Sequence, residues 1–275
     1  VTNLAVGFLA EPAISQLVDS PLAATGVPDD WVKPISIGIG LALGTVLIIA
    51  PWNYPLTLAL LKIAPAIAAG NTVVLKPSEI TPLSAVELAQ AVAETGLPPG
   101  VINIVYGGGR TGMQLVEHPL VAKVSFTGGN ETGRKIYEAA SRAIKRVTLE
   151  LGGKTPLVVF DDADLDRAVA VARTDNIRNT GQVCAACTRL IVHERIADAF
   201  VEALGTSLLS VRIGLPERED TEMGPIVSAR QLERVRSYEG VAAGEGVSVR
   251  RYGDVADRAD LAGGYFEAPT LLDYF

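Results

Sequence analysis

The chain has 275 residues, 48% of them hydrophobic and 20% charged, with a mean hydropathy of +0.30, which supports a large buried core and excludes an intrinsically disordered chain. A net charge of −7, a pI near 5.0 and the lack of any Lys/Arg cluster exclude a nucleic-acid-binding surface, which needs cations to neutralise phosphates. Two cysteines make no disulfide framework, so a reducing, cytoplasmic compartment is expected, and nothing after Val1 reads as a secretory leader.

The length allows one large domain or two ordinary ones. No charge occurs between Pro34 and Lys62, a gap long enough to suggest a membrane span. Gly38, Gly40, Gly44, Pro51, Asn53 and Pro55 interrupt it, and Thr45–Ile49 is short and β-branched. The expectation is therefore a buried parallel strand, a turn, and an apolar helix over Pro55–Ala69 stopped by Gly70-Asn71, with no membrane association. Thr72–Leu75 reads as a strand. Ser84–Glu94 reads as a helix between Thr81-Pro82 and Gly96. Val101–Val105 is a strand ahead of Gly107-Gly108-Gly109, and Thr111–Glu117 a short helix. Ala122–Phe126 is a strand, Glu131–Arg142 a helix and Arg146–Glu150 a strand. Strand–helix alternation with continuously apolar strands predicts an α/β fold built on a doubly wound parallel sheet. A second block starts near Gly153. Leu157–Phe160 and Arg189–Val192 read as strands, Asp164–Arg178 and Arg195–Leu209 as helices, Gln231–Val241 as helical and Val247–Tyr252 as extended. No internal repeat or low-complexity linker separates the blocks, so the boundary is expected at a tight Gly152-Gly153 hinge.

Chemistry-bearing residues recur at the ends of the predicted strands. Pro51-Trp52-Asn53-Tyr54-Pro55 follows the first. Leu149-Glu150-Leu151-Gly152-Gly153-Lys154 ends the fifth, and Gly181-Gln182-Val183-Cys184 comes 34 positions after its glutamate. A thiol, a carboxylate and an amide are the nucleophile, general base and hydrogen-bond donor that acyl chemistry on an aldehyde carbon requires. Read singly, each has a plain alternative: an inert buried cysteine, a solvated glutamate, an asparagine that stabilises a turn. Two flanking leucines and two glycines predict a crowded, partly apolar setting for Glu150. Cys184-Ala185-Ala186-Cys187 is formally C-x-x-C. No second such pair exists and His118 and His193 lack ligand spacing, so no metal is expected; a dithiol redox pair stays open, with Cys187 expected to serve packing.

Taken together, these motifs resemble the aldehyde dehydrogenase superfamily, from about Trp31 to Phe275. The resemblance implies a Rossmann-like coenzyme domain over 1–152, with its core at about 45–152, followed by an incomplete α/β catalytic domain over 153–275. It implies Cys184 as nucleophile, Glu150 as general base, and Asn53 with the Cys184 N–H as oxyanion donors. Relatives that pass the acyl group to coenzyme A generally lack this glutamate, so a free acid product is implied. Val74-Leu75-Lys76-Pro77-Ser78-Glu79 resembles the family segment around the adenosine ribose, with Lys76 and Glu79 on its hydroxyls. The Glu79 carboxylate favours NAD, with NADP the less favoured cofactor, because it repels a 2′-phosphate. Phe126-Thr127-Gly128-Gly129-Asn130-Glu131-Thr132-Gly133 resembles the family's phosphate turn, where glycines let the backbone approach a pyrophosphate at a helix N-terminus. The family usually has serine where this chain has Gly129. The implied cofactor set is Ile49, Pro51, Trp52, Lys76, Ser78, Glu79, Gly108, Phe126, Gly128, Gly129, Thr132, Gly133 and Leu151.

Family members continue past Pro269-Thr270-Leu271-Leu272 to a Glu-Glu-Ile-Phe-Gly-Pro-like segment that grips the nicotinamide ribose. They also carry a longer ribbon than the stretch between Trp31-Val32-Lys33-Pro34 and Gly44. The resemblance thus implies a chain truncated at both ends, with exposed apolar surface, weak or no turnover and a reduced version of the family's usual homo-oligomer surface. A small-molecule aldehyde is the implied partner. A non-catalytic dinucleotide-binding member of the family is the alternative, and a dithiol redox protein a further one.

Overall fold

The computed structural model describes residues 44–273; the expected shortening of the ribbon between Pro34 and Gly44 lies outside them. The chain divides between Gly152 and Gly153 into two compact units.

The first unit alternates strand and helix: β1 (Thr45–Ile49), α1 (Pro55–Ala68), β2 (Thr72–Lys76), α2 (Leu83–Glu94), β3 (Ile102–Ile104), α3 (Gly109–Glu117), β4 (Val121–Gly128), α4 (Asn130–Ser141) and β5 (Arg146–Leu151). The strands form one parallel sheet in the order β3-β2-β1-β4-β5. Side chains of β1 alternate between its faces. Val46 and Ile48 join Ala59 and Ile63 of α1 and Ala85 and Ala89 of α2 in one core. Leu47 and Ile49 join Leu115 and Val116 of α3 and Ile136 and Ala140 of α4 in the other. Helices thus cover both faces, which is why β1 is apolar throughout rather than alternating with polar residues. Leu47, Ile48 and Leu75 are fully buried, and each contributes about 1.5–3 kcal/mol of transfer free energy. Helix α1 starts at Pro55 and stops where Gly70, at φ 77°, takes the left-handed conformation; Asn71 N–H then reaches back to the Ala66 carbonyl at 3.1 Å.

The second unit contains β6 (Pro156–Val159), α5 (Leu165–Ile177), β7 (Arg189–Val192), α6 (Glu194–Leu209), α7 (Ala229–Gly244), β8 (Ser248–Arg251) and β9 (Thr270–Asp273). Strands β6 and β7 pair in parallel, β8 and β9 antiparallel. Asp164 caps α5 by accepting from Arg167 N–H at 3.0 Å, and Ser228 caps α7 through Gln231 N–H at 3.3 Å. Phe200, Leu204 and Leu208 of α6 pack with Val169 and Ala172 of α5 around a core closed by Met223 and Phe266. Val158 of β6 and Ile191 of β7 are 51% and 49% exposed, so one face of this pair stays open among the described residues.

The elements depart from expectation mainly at their ends. Strand β4 extends to Gly128 because it pairs with β5 as far as Gly128 opposite Leu151. Helix α3 begins at Gly109, capped by extended Gly108, rather than at Thr111. Helix α7 begins at Ala229, since Ser228 caps it. Strand β9 was not predicted; it exists because Thr270–Asp273 pairs with β8. Among the described residues no helix is long and apolar enough to cross a membrane.

Candidate functional site

In the first unit the chain leaves β1 toward β2 on one side, but α3 carries it from β3 back across the sheet to β4 on the other. The carboxyl ends of β1 and β4 therefore flank a topological switch point, where ligands of such sheets bind. Register places the predicted residues along that edge. Ile49 lies opposite Lys76 on one side and Phe126 on the other. Phe126 faces Leu149, Thr127 faces Glu150 and Gly128 faces Leu151. Pro51, Trp52 and Asn53 follow β1 and are half-buried. Thr81 Oγ1 donates to the Trp52 carbonyl at 3.1 Å, tying this loop to the segment after β2.

Lys76 is 4% exposed, and its ammonium donates to Pro77 O at 3.1 Å and to Glu79 Oε2 at 3.2 Å. Burial works to raise the Glu79 carboxyl, but its own backbone N–H and the Lys76 ammonium outweigh it and hold the group below its ordinary value. Ser78 is buried, its hydroxyl accepting from Ile80 N–H at 3.3 Å.

Gly108 and Gly129 are the extended N-caps of α3 and α4, and neither offers a side-chain cap. A Cβ added at Gly108, Gly109 or Gly129 would meet nothing within 4 Å. The first-turn N–H groups of α4 therefore lie beside open space, with Thr132 exposed in the same turn and Glu131 turned to Lys135 at 2.8 Å. At Gly128 and Gly133 a side chain would also crowd neighbours within the unit. A Cβ at Gly128 would lie 2.4 Å from the Phe126 ring, and one at Gly133 would lie 2.7 Å from Leu151 Cδ2. These two glycines seat α4 against its own strand ends. Thr127 is 7% exposed and its hydroxyl has no partner among the described residues. A buried orphan hydroxyl, a buried ammonium and uncapped helix N-termini along one edge fit a dinucleotide.

The setting of Glu150 corrects the sequence expectation. It is exposed rather than crowded, because β5 is an edge strand among the described residues and no further strand covers it. Lys62 of α1 was missed by the sequence reading. Burial pushes its ammonium below its ordinary value, while the Glu150 carboxylate pulls it up and Lys123 pushes it down. One signal was available: Lys62 is the cation that ends the charge-free run.

In the second unit Cys184 sits at the first corner of a turn closed by Ala186 N–H to Val183 O at 3.2 Å. The residue is exposed, and its N–H makes no hydrogen bond among the described residues. Three successive left-handed residues lead into it: Asn179 at φ 50°, Thr180 at φ 58° and Gly181 at φ 69°. For a β-branched residue this conformation is strained, at about 1–3 kcal/mol. Glycine suits the third position, where a Cβ would also lie 3.1 Å from Asn176 O.

Cys187 is half-buried and differently placed. Its N–H donates to Asp175 Oδ2 at 3.3 Å and its carbonyl accepts from Asn176 Nδ2 at 3.2 Å. A hydrogen bond to the Asp175 carboxylate, then burial, then the carboxylate's charge push its thiol up. A raised thiol pKa leaves less thiolate at neutral pH, so removing the carboxylate increases reactivity. In a Cys184→Ala background, Asp175→Asn is expected to speed Cys187 alkylation by iodoacetamide at neutral pH roughly severalfold, the larger thiolate fraction outweighing its lower intrinsic nucleophilicity. An unchanged alkylation rate would show that the carboxylate does not suppress this thiol. Among the described residues no group of three or more His, Cys, Asp or Glu side chains is gathered as a metal site.

The model of the aldehyde dehydrogenase family matches residues 35–275. Among solved structures the chain is similar to lactaldehyde dehydrogenase from Escherichia coli, at 44% identity and a TM-score of 0.80, over 84% of this chain and 48% of that one. It is also similar to betaine aldehyde dehydrogenase from Staphylococcus aureus in complex with NAD+, at 40% identity and a TM-score of 0.82, over 86% of this chain and 49% of that one. The chain spans about half the length of these relatives.

Proposed function

This chain belongs to the aldehyde dehydrogenase family, and from that premise we propose that it oxidises a small-molecule aldehyde to the free carboxylic acid with NAD. The observation that carries the reading is the contrast between its two thiols: Cys184 exposed at the corner of a turn with its N–H unengaged among the described residues, Cys187 half-buried and held by Asp175. That contrast also disfavours a dithiol couple, which needs two thiols able to react.

The Cys184 thiolate bonds to the aldehyde carbon, and the carbonyl oxygen becomes an oxyanion. Asn53 and the Cys184 N–H are the proposed donors to that oxygen. Bound NAD supplies the acceptor for the hydride that leaves the same carbon. The carbon is then a thioester on Cys184. Glu150 accepts a proton from water as the water oxygen bonds to the thioester carbon; the carbon–sulfur bond breaks, the acid departs and the thiolate is restored. Lys76 and Glu79 would hold the adenosine ribose, and the open N-termini of α3 and α4 the pyrophosphate, with Ile49, Pro51, Trp52, Phe126 and Leu151 around the cofactor. Support for these assignments comes from the strand-end placement of Ile49, Lys76, Phe126 and Leu151.

The test is NADH formation across a panel of aliphatic and aromatic aldehydes, repeated with NADP and with Glu79→Thr. NAD should bind more tightly than NADP. Since the Glu79 carboxyl is held below its ordinary value, it is charged at neutral pH and repels a 2′-phosphate. Removing that charge in a partly solvated site should narrow the preference by on the order of tenfold. Equal binding of both cofactors by the unaltered chain refutes the role of Glu79. Absence of reduced cofactor with every aldehyde refutes the activity.

A further inference from the structure

We propose that Gln182 is a positioning residue for Cys184, a strut that fixes the nucleophile turn against the segment Gly224–Val227; the inference rests on the reading of Cys184 as nucleophile. Gln182 lies two residues before Cys184, and both ends of its side-chain amide are engaged. Its Nε2 donates to Asn179 O at 3.1 Å, across the left-handed turn, while Asn179 Nδ2 donates back to Gln182 O at 3.3 Å. Its Oε1 accepts from Val227 N–H at 3.0 Å, reaching a segment 45 residues away. Thr180 Oγ1 makes a parallel tie to Gly224 O at 3.0 Å. On the far side of the turn, Asp175 and Asn176 of α5 hold the N–H and carbonyl of Cys187. The turn is therefore gripped before and after its tip, and Cys184 and Ala185 are the exposed residues between the grips.

The physical need for a strut lies in the strain just upstream. Thr180, a β-branched residue held in the left-handed region, favours relaxation to ordinary backbone angles. Relaxation would swing the following residues, and with them the sulfur. Gln182 opposes it by linking the strained turn to a remote backbone N–H. A nucleophile displaced by about 1 Å loses roughly a hundredfold in rate while substrate binding survives, so a positioning defect appears in kcat.

The experiment compares the parent chain with Gln182→Met, which keeps the shape and removes every hydrogen bond of the amide, and with Gln182→Glu, which keeps the acceptor for Val227 N–H. Amide hydrogen exchange is followed over residues 183–188, together with steady-state aldehyde kinetics and NAD affinity. For Gln182→Met, exchange over 183–188 should speed up and kcat fall about tenfold or more, with aldehyde KM and NAD affinity changed less than about twofold. Gln182→Glu should restore most of the protection over 183–188. Parent-like exchange in Gln182→Met overturns the proposal. So does a kcat loss accompanied by equal losses of NAD affinity and thermal stability, which marks a folding defect. If the parent chain oxidises no aldehyde, the proposed activity fails, and the exchange comparison alone then decides whether Gln182 holds the turn.

Discussion

Cys184→Ala should abolish aldehyde-dependent NADH formation, a loss on the order of a thousandfold or more, because it removes the thiol proposed to carry the thioester that the reaction passes through. NAD affinity should be unchanged, since the proposed cofactor residues belong to the sheet edge of the first unit. Cys187→Ala should keep most of the activity. Its thiol is tied to Asp175, which holds it in the unreactive protonated form. The backbone hydrogen bonds that residue 187 makes with Asp175 and Asn176 use its N–H and carbonyl, which alanine retains. The comparison discriminates between mechanisms. If the two substitutions cost the same, a dithiol couple explains the data better than a single nucleophile. If Cys184→Ala retains activity, the nucleophile lies elsewhere.

The first unit was legible in the sequence because its strands are buried on both faces. Thr45–Ile49 and Thr72–Leu75 carry unbroken β-branched and aliphatic runs, and Gly70 and Gly96 follow the helix after each. The site was legible where chemistry and strand ends coincide, as at Lys76, Phe126 and Glu150. Other features depend on partners distant in the chain. Asn179 tolerates the left-handed region, but nothing in the local sequence announces that β-branched Thr180 follows it there, with its hydroxyl tied to Gly224, 44 positions downstream. Gly128 and Gly133 read as ligand-facing glycines, and the sequence does not announce that a Cβ there would also crowd the Phe126 ring and the Leu151 side chain. Strand β9 becomes a strand only through its pairing with β8. The leucines around Glu150 suggested burial, but whether they enclose the carboxylate is decided by what lies beyond β5, not by sequence neighbours.

That exposure bears on what Glu150 can do. A carboxylate at the open end of an edge strand has direct access to water, which suits a base whose partner is the hydrolytic water more than one sealed against a thiol. Glu150→Gln keeps the shape and an acceptor oxygen but cannot take up a proton. Acylation and the first hydride transfer should survive. Hydrolysis of the thioester should slow by about 10²–10⁴-fold, the usual contribution of a general base. The expected trace is a burst of NADH approaching one equivalent per active chain, then a slow steady rate, with acylated Cys184 visible as a mass increase on the intact protein. Equal loss of burst and steady state would move Glu150 to an earlier step, the deprotonation of Cys184. A variant with both phases intact would remove Glu150 from the mechanism and leave the charge it presents to Lys62 as its remaining role.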